Sequence, residues 1–182
     1  MTAYKSNPKF YVSVDCIIFG FEDGHLKVLI HQRTYEPGKG ELSLIGGFVQ
    51  TDESVDSSAQ RILKEFTGLD NVYMRQLATF GEVERDPGER VISIVYYALI
   101  NVDNYDTQLS AIHNTQWVDV DEMPTLCFDH NEMVQKARRK IGETIKNEPI
   151  GSNLLPRYFT LSLLQTLYES ILGTSIDKRN FR

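Results

Sequence analysis

The 182-residue sequence predicts a mixed α/β domain, several strands with one helix in the middle and another near the end, followed by the beginning of a helix-turn-helix. Three observations predict this. Short β-like runs between residues 10 and 49 are separated by Gly, Pro and Asp turns. A helical stretch over 54–67 opens shortly after Gly46-Gly47 and meets Gly68 at its end. Beyond residue 149 the composition changes, and an amphipathic run over 160–172 is followed by a Gly-containing turn.

In order along the chain, residues 10–21 alternate and then run apolar, Asp23-Gly24 turns, and 26–31 returns, which reads as a hairpin. Residues 33–40 are a polar loop with Pro37, Gly38 and Gly40. Residues 41–49 form a short strand and turn, and Gly46-Gly47 lets the backbone bend before the helix. Ser54 or Asp52 can cap that helix, and Gly68 suits its stop. Residues 72–81 read as a strand, 82–90 as a charged loop, and 91–102, rich in β-branched and aromatic residues, as a central strand. Residues 115–120 carry the single Trp, Trp117, in a further strand. Met133, Val134, Ala137 and Ile141 have helical spacing within 129–146.

Composition narrows the function classes. With 41% hydrophobic residues the chain can bury an ordinary core, and its length fits one full domain plus a small second piece. The net charge of −6 excludes a chain that is basic throughout, though a local basic patch remains compatible with it. Cys16 and Cys127 sit among apolar neighbours and read as buried free thiols. No apolar leader core opens the chain and no run is long enough to cross a bilayer, so a cytoplasmic location is expected.

The most specific signal lies between Gly47 and Leu69. Glu53 follows Gly47 by six residues, Arg61 follows Glu53 by eight, Glu65 follows Arg61 by four and Gly68 follows Glu65 by three. This resembles the Nudix box, G-x5-E-x7-R-E-U-x-E-E-x-G-U with U aliphatic. Gly47, Glu53, Arg61, Leu63, Glu65, Gly68 and Leu69 match it, while Ile62 and Phe66 stand where two Glu belong. Residues 62, 65 and 66 share one helix face, where a working Nudix site presents carboxylates to divalent metal. Ile62 and Phe66 make an apolar pair there instead, and Glu65 alone remains. The resemblance extends over about residues 10–148, through the loop and strand from Arg85 to Leu99 and the segment from Trp117 to His130. It implies the α/β/α sandwich of Nudix domains.

Residues 149–156, containing Pro, Gly, Ser and Asn, read as a linker. Thr160 can cap a helix whose stripe is Leu161, Leu164, Leu167, Tyr168 and Ile171, and Asp177 can cap a second helix beginning Lys178-Arg179-Asn180-Phe181-Arg182. Residues 156–182 carry net +2 and the rest −8, an asymmetry in the direction that DNA contact requires. A degenerate Nudix domain followed by this segment is similar to the Nudix-related transcriptional regulators of the NrtR and AraR type, and its wording is closer to the arabinose-sensing branch. The resemblance implies residues 1–148 as an effector-sensing domain, 149–156 as a linker and 157–182 as the start of a winged helix-turn-helix. It also implies a homodimer, operator DNA as partner, and a small-molecule effector, either ADP-ribose-like or a pentose such as L-arabinose. The family continues past this point with the rest of a recognition helix and a β wing, so the chain as written is expected to bind DNA poorly.

On this reading the Nudix site is catalytically inert and needs no cofactor. Lys178, Arg179, Asn180 and Arg182 would touch DNA, basic groups to phosphate or guanine and Asn to adenine. The effector would meet Asp15, Arg33, Glu84, Arg85 and His130, polar residues beside the elements that border a Nudix cleft. The alternative is an Mg²⁺-dependent hydrolase of a nucleoside diphosphate derivative such as ADP-ribose. Glu53 and Glu65 would then hold metal, with Glu82 or Glu84 as base.

Overall fold

The computed structural model describes residues 3–105 and 107–177. Six strands, β1 (Tyr11–Glu22), β2 (His25–Gln32), β3 (Leu42–Phe48), β4 (Tyr73–Phe80), β5 (Val91–Leu99) and β6 (Thr115–Asp119), form one sheet in the order β4-β5-β1-β3-β2-β6. The four α-helices are α1 (Val55–Thr67), α2 (Thr107–His113), α3 (His130–Thr144) and α4 (Leu161–Leu172).

β1 organises the sheet. It runs parallel to β5 from Tyr11 to Phe19, antiparallel to β3 from Ser13 to Cys16, and antiparallel to β2 from Phe19 to Glu22. Asp23 (φ 54°) and Gly24 (φ 84°) close the hairpin with two left-handed residues, the turn whose twist matches its strands. Strand alternation then sorts the core into two layers. Val14, Cys16 and Ile18 face Ala59, Ile62, Leu63 and Phe66 of α1. Ile17, Phe19 and Phe21 face Met133, Val134, Ala137 and Ile141 of α3 and Leu167 and Ile171 of α4. Each fully buried aliphatic side chain contributes about 1.5–3 kcal/mol, so both helix layers are held by packing. Cys16 and Cys127 are buried free thiols, as expected.

α1 starts at Ser54, whose Oγ accepts from the Ser57 N–H at 3.1 Å, and stops at Gly68, φ 73°. Thr160 and Gly173 bracket α4 in the same manner. Several expectations need correction. β5 is interior but second from the sheet edge, because β1 and β3 hold the middle. α2 had not been expected, since its seven residues bury no side chain and carry no apolar stripe. Residues 149–156 are no exposed tether, because Ile150, Leu154 and Leu155 are buried in the α3–α4 layer and 150–154 form a 3-10 helix. Leu161 is 53% exposed, so the buried stripe of α4 begins later in the helix.

α3 and α4 are also tied by polar contacts. The Arg138 guanidinium donates to the carbonyls of Ile171 (3.1 Å) and Ser170 (2.7 Å) and pairs with Asp121 (2.6 Å). Leu26 N–H donates to Ser170 Oγ at 2.7 Å, which fastens the end of α4 to β2. Among the described residues, no helix is long and apolar enough to cross a membrane.

Candidate ligand-binding site

A cleft of about 500 Å³, counting its open mouth, lies where β1 and β3 meet the loops after β2 and before β5 and the start of α3. Asp15, Arg33, Arg85 and His130 all line it, although 115 residues separate the first from the last in sequence. The parallel β1–β5 and antiparallel β1–β3 pairings place Asp15 between Val95 and Gly46. A Cβ on Gly46 would overlap the Asp15 carboxylate, so glycine is what lets that carboxylate lie against β3.

Asp15 is buried and accepts a hydrogen bond from Ser93 Oγ at 2.5 Å. Arg85 makes a two-pronged pair with Asp129, Nε to Oδ2 at 2.9 Å and Nη2 to Oδ1 at 2.7 Å, and its Nη2 lies 3.9 Å from Asp15. Asp129 is the N-cap residue of α3 but makes no side-chain cap bond. Its carboxylate serves Arg85 instead. His130 Nδ1 accepts the Leu44 N–H at 3.1 Å, which leaves Nε2 as the protonated nitrogen of the neutral ring, 3.8 Å from Asp15. Burial lowers the His130 pKa, while Asp15 and Asp129 oppose that shift. His31, on the same wall, is lowered to about 4, chiefly by burial and then by Arg33 and His130. Arg33 differs from Arg85. Its Nε donates to the Pro37 carbonyl (2.8 Å), and its guanidinium sits 4.7 Å from the Tyr35 ring centre and 5.0 Å from that of Phe128. Among the described residues no carboxylate lies within ion-pair distance of it. The cleft therefore offers a cation, held by two aromatic rings, that an anionic ligand can neutralise.

Glu84 does not join this group. It is exposed on a neighbouring groove with Glu82, Glu132 and Lys136, because the loop after β4 turns only Arg85 and Asp86 inward.

The Nudix box keeps its shape and turns its carboxylates to other uses. Arg61 grips Glu53 with Nε (2.9 Å) and Nη2 (2.6 Å), and Gln50 N–H donates to Glu53 at 2.9 Å. These bonds hold the Glu53 pKa down to about 2, the Arg61 hydrogen bonds first. Arg61 also reaches the Phe48 carbonyl (3.3 Å), so it pins the loop after Gly47 to α1. Ile62 is buried and its side chain lies against Gly47; Phe66 is nearly buried. Glu65 is half exposed, 4.0 Å from Arg61. One free carboxylate beside an apolar pair does not fit a resident divalent metal, which needs several oxygen ligands. Among the described residues no group of three or more His, Cys, Asp or Glu is placed to hold one.

Sequence reasoning missed Tyr35, Phe128, Ser93 and Asp129 as parts of the site. Phe128 has φ 55°, which no sequence signal announces, and Ser93 is 78 residues from its partner. Gly46 was legible only as part of a flexible pair. Lys178, Arg179, Asn180 and Arg182 lie outside the described residues.

Comparison with known proteins agrees with this geometry. Residues 9–139 match the NUDIX domain, and residues 151–182 match the NrtR DNA-binding winged helix domain. The ADPR responsive transcriptional repressor NtrR of Acinetobacter baylyi is 35% identical over 179 residues, spanning 96% of this chain and 72% of that protein. The ADP-ribose pyrophosphatase of Methanocaldococcus jannaschii is 30% identical over 134 residues, spanning 72% of this chain and 77% of that protein. Shewanella oneidensis NrtR, solved with a 27mer DNA, superposes with a TM-score of 0.86 at 31% identity over 94% of this chain and 80% of that one. Its NUDIX domain, solved with ADP ribose, gives 0.65 at 32% identity over 75% of this chain and 92% of that one. These relatives do not support the leaning toward the arabinose branch. The NUDIX match over residues 9–139, the winged-helix match over 151–182 and the 35% identity with the Acinetobacter repressor across 96% of this chain show that the chain belongs to the NrtR type of Nudix-related transcriptional regulators.

Proposed function

We propose that the chain is a ligand-responsive, DNA-binding transcriptional regulator whose Nudix domain senses ADP-ribose or a close nucleoside diphosphate sugar. The observation that carries this reading is the cleft: Arg33 presents an unneutralised cation in a pocket beside a Nudix helix that has lost its metal face. The names of the Acinetobacter and Shewanella relatives support ADP-ribose over L-arabinose. Residues 1–148 sense, and residues 157–182 belong to the DNA-binding domain. The regulator works as a homodimer in the cytoplasm, because two recognition helices must meet two half-sites.

α3 supplies the connection. At its start His130 lines the cleft and Asp129 holds the cleft residue Arg85, and Arg138, about 13 Å further along the helix axis, holds the last carbonyls of α4. A ligand that draws Arg85 away from Asp129 changes how α3 is held, and α4 moves with it. Such a ligand shifts the population between two arrangements by its difference in affinity for them.

The test is a thermal-shift titration with ADP-ribose, NAD, ADP and L-arabinose, with and without EDTA. A ligand at about a hundred times its Kd adds roughly 2.7 kcal/mol of stability. ADP-ribose is expected to raise Tm in EDTA and L-arabinose to leave it unchanged; the reverse pattern overturns the reading. The Methanocaldococcus relative favours a second reading, ADP-ribose hydrolysis. Metal-dependent release of AMP and ribose 5-phosphate that Glu65→Gln abolishes would establish it.

A further inference from the structure

The cleft continues past Gly46, Gly47, His31 and Tyr35 into a second compartment floored by Ile62 and Phe66 and walled by Ile112, His113 and Glu65 of α2 and α1. Those four shared residues make the two compartments neighbours, so one ligand can lie across the Gly46-Gly47 backbone and occupy both. Their chemistries differ. The first holds Arg33, free to meet an anion. The second contains one guanidinium, Arg61, and that group is already bonded to Glu53, Phe48 and Ser58. A phosphate entering there would meet the Glu65 carboxylate beside a guanidinium whose Nε and Nη2 are already taken, with only Nη1, itself 4.0 Å from Glu65, left to offer.

What the second compartment does offer is an apolar floor and an acceptor. The Phe66 ring lies 4.5 Å from the His113 ring centre and 5.6 Å from that of His31, a run of three rings. Ile112 is 72% exposed at the rim. The Glu65 side chain is half exposed and held only by a 4.0 Å contact to Arg61, so it can accept hydroxyl protons. A sugar ring has both matching parts, a C–H face for the apolar floor and hydroxyls for a carboxylate. We infer that this compartment, on the helix face where a Nudix hydrolase would hold metal, binds the uncharged terminal sugar of the effector while its diphosphate sits at Arg33.

The inference rests on the proposed effector, and the experiment separates the two. Binding of ADP-ribose and of ADP, which lacks the terminal ribose, is measured by calorimetry in EDTA on the wild-type chain, Glu65→Gln and Ile112→Ala. Both variants change exposed side chains, and unaltered far-UV dichroism checks that they fold. ADP-ribose is expected to bind the wild type about tenfold more tightly than ADP, the weight of one good charge-assisted hydrogen bond. In Glu65→Gln that gap is expected to fall to about twofold or threefold, and in Ile112→Ala to shrink by a smaller factor, with ADP affinity unchanged in both. Equal weakening of both ligands would put the nucleobase in this compartment and overturn the inference, as would an undiminished gap. If ADP-ribose fails to bind the wild type at all, the effector assignment itself falls and the inference with it.

Discussion

Replacing Arg138 with Ala isolates the joint between the sensing domain and α4. The lost contacts are the hydrogen bonds to Ile171 (3.1 Å) and Ser170 (2.7 Å) and the pair with Asp121 (2.6 Å). A hydrogen bond from a charged group contributes about 1.5–3 kcal/mol, and a cation at a helix C-terminus about 0.3–1 kcal/mol. The Asp121 side chain is 59% exposed, so its pair adds less than about 1 kcal/mol. Water can reach the two carbonyls once the guanidinium is gone, and bonds made by one group are not additive. The expected loss is therefore about 2–3 kcal/mol, or roughly 30- to 150-fold in the opening of α4. Native-state amide exchange reads this directly, since local openings report their own free energies. Protection over 161–172 is expected to fall by that factor while the amides of β1 and β5 hold theirs. Asp121→Ala, which leaves both carbonyl bonds in place, is expected to cost about threefold or less. Unchanged protection of α4 in Arg138→Ala, or an equal fall in the sheet, would refute the claim that Arg138 holds this helix locally.

Other outcomes follow from the cleft. Arg33→Ala is expected to weaken ADP-ribose by about 30- to 100-fold in calorimetry, a loss of about 2–3 kcal/mol typical of a charged pair, without moving the Tm of the free protein by more than a few degrees. Gly46→Ala forces a Cβ onto the Asp15 carboxylate. It is expected to cost about 1–3 kcal/mol in urea unfolding and to abolish effector binding, whereas wild-type binding would show that Asp15 can move freely. Because the folded His31 has a pKa near 4 against about 6.5 when unfolded, the unfolded state takes up the proton first as pH falls. Stability is then expected to drop by roughly 3 kcal/mol from pH 7 to pH 4 in a His31→Gln-sensitive manner. Ile62→Glu with Phe66→Glu restores the letters of the Nudix box, yet both side chains are buried or nearly so. The double variant is expected to lose more than about 3 kcal/mol, and robust ADP-ribose turnover by a stable variant would contradict the packing role assigned to these residues.

Much of this was readable along the chain because its cause is local. The Asp23-Gly24 turn, the Ser54 and Thr160 caps and the Gly68 and Gly173 stops each depend on a few neighbouring residues. The strand alternation of β1 likewise announces its two buried faces. The box spacing identified the frame, and the Ile62 and Phe66 substitutions announced the loss of its metal face, because helix periodicity alone places 62, 65 and 66 together. Asp15, Arg33, Arg85 and His130 could be named from their positions beside the expected cleft, but nothing in the sequence ruled out Glu84, which stands next to Arg85 and points elsewhere.

Tertiary structure alone decided the rest. Asp129 could have capped α3, and only the arrival of Arg85 from a loop 44 residues away turned its carboxylate to that guanidinium. Residues 149–156 have a linker's composition, yet Ile150, Leu154 and Leu155 complete a core whose other walls are α3 and α4. Arg138 looks like a solvated helix residue until α4 ends beside it. Local rules of backbone and periodicity are written in neighbouring residues. Which distant group meets which depends on how the layers pack, and that is where this protein's sensing cleft and its link to α4 are set.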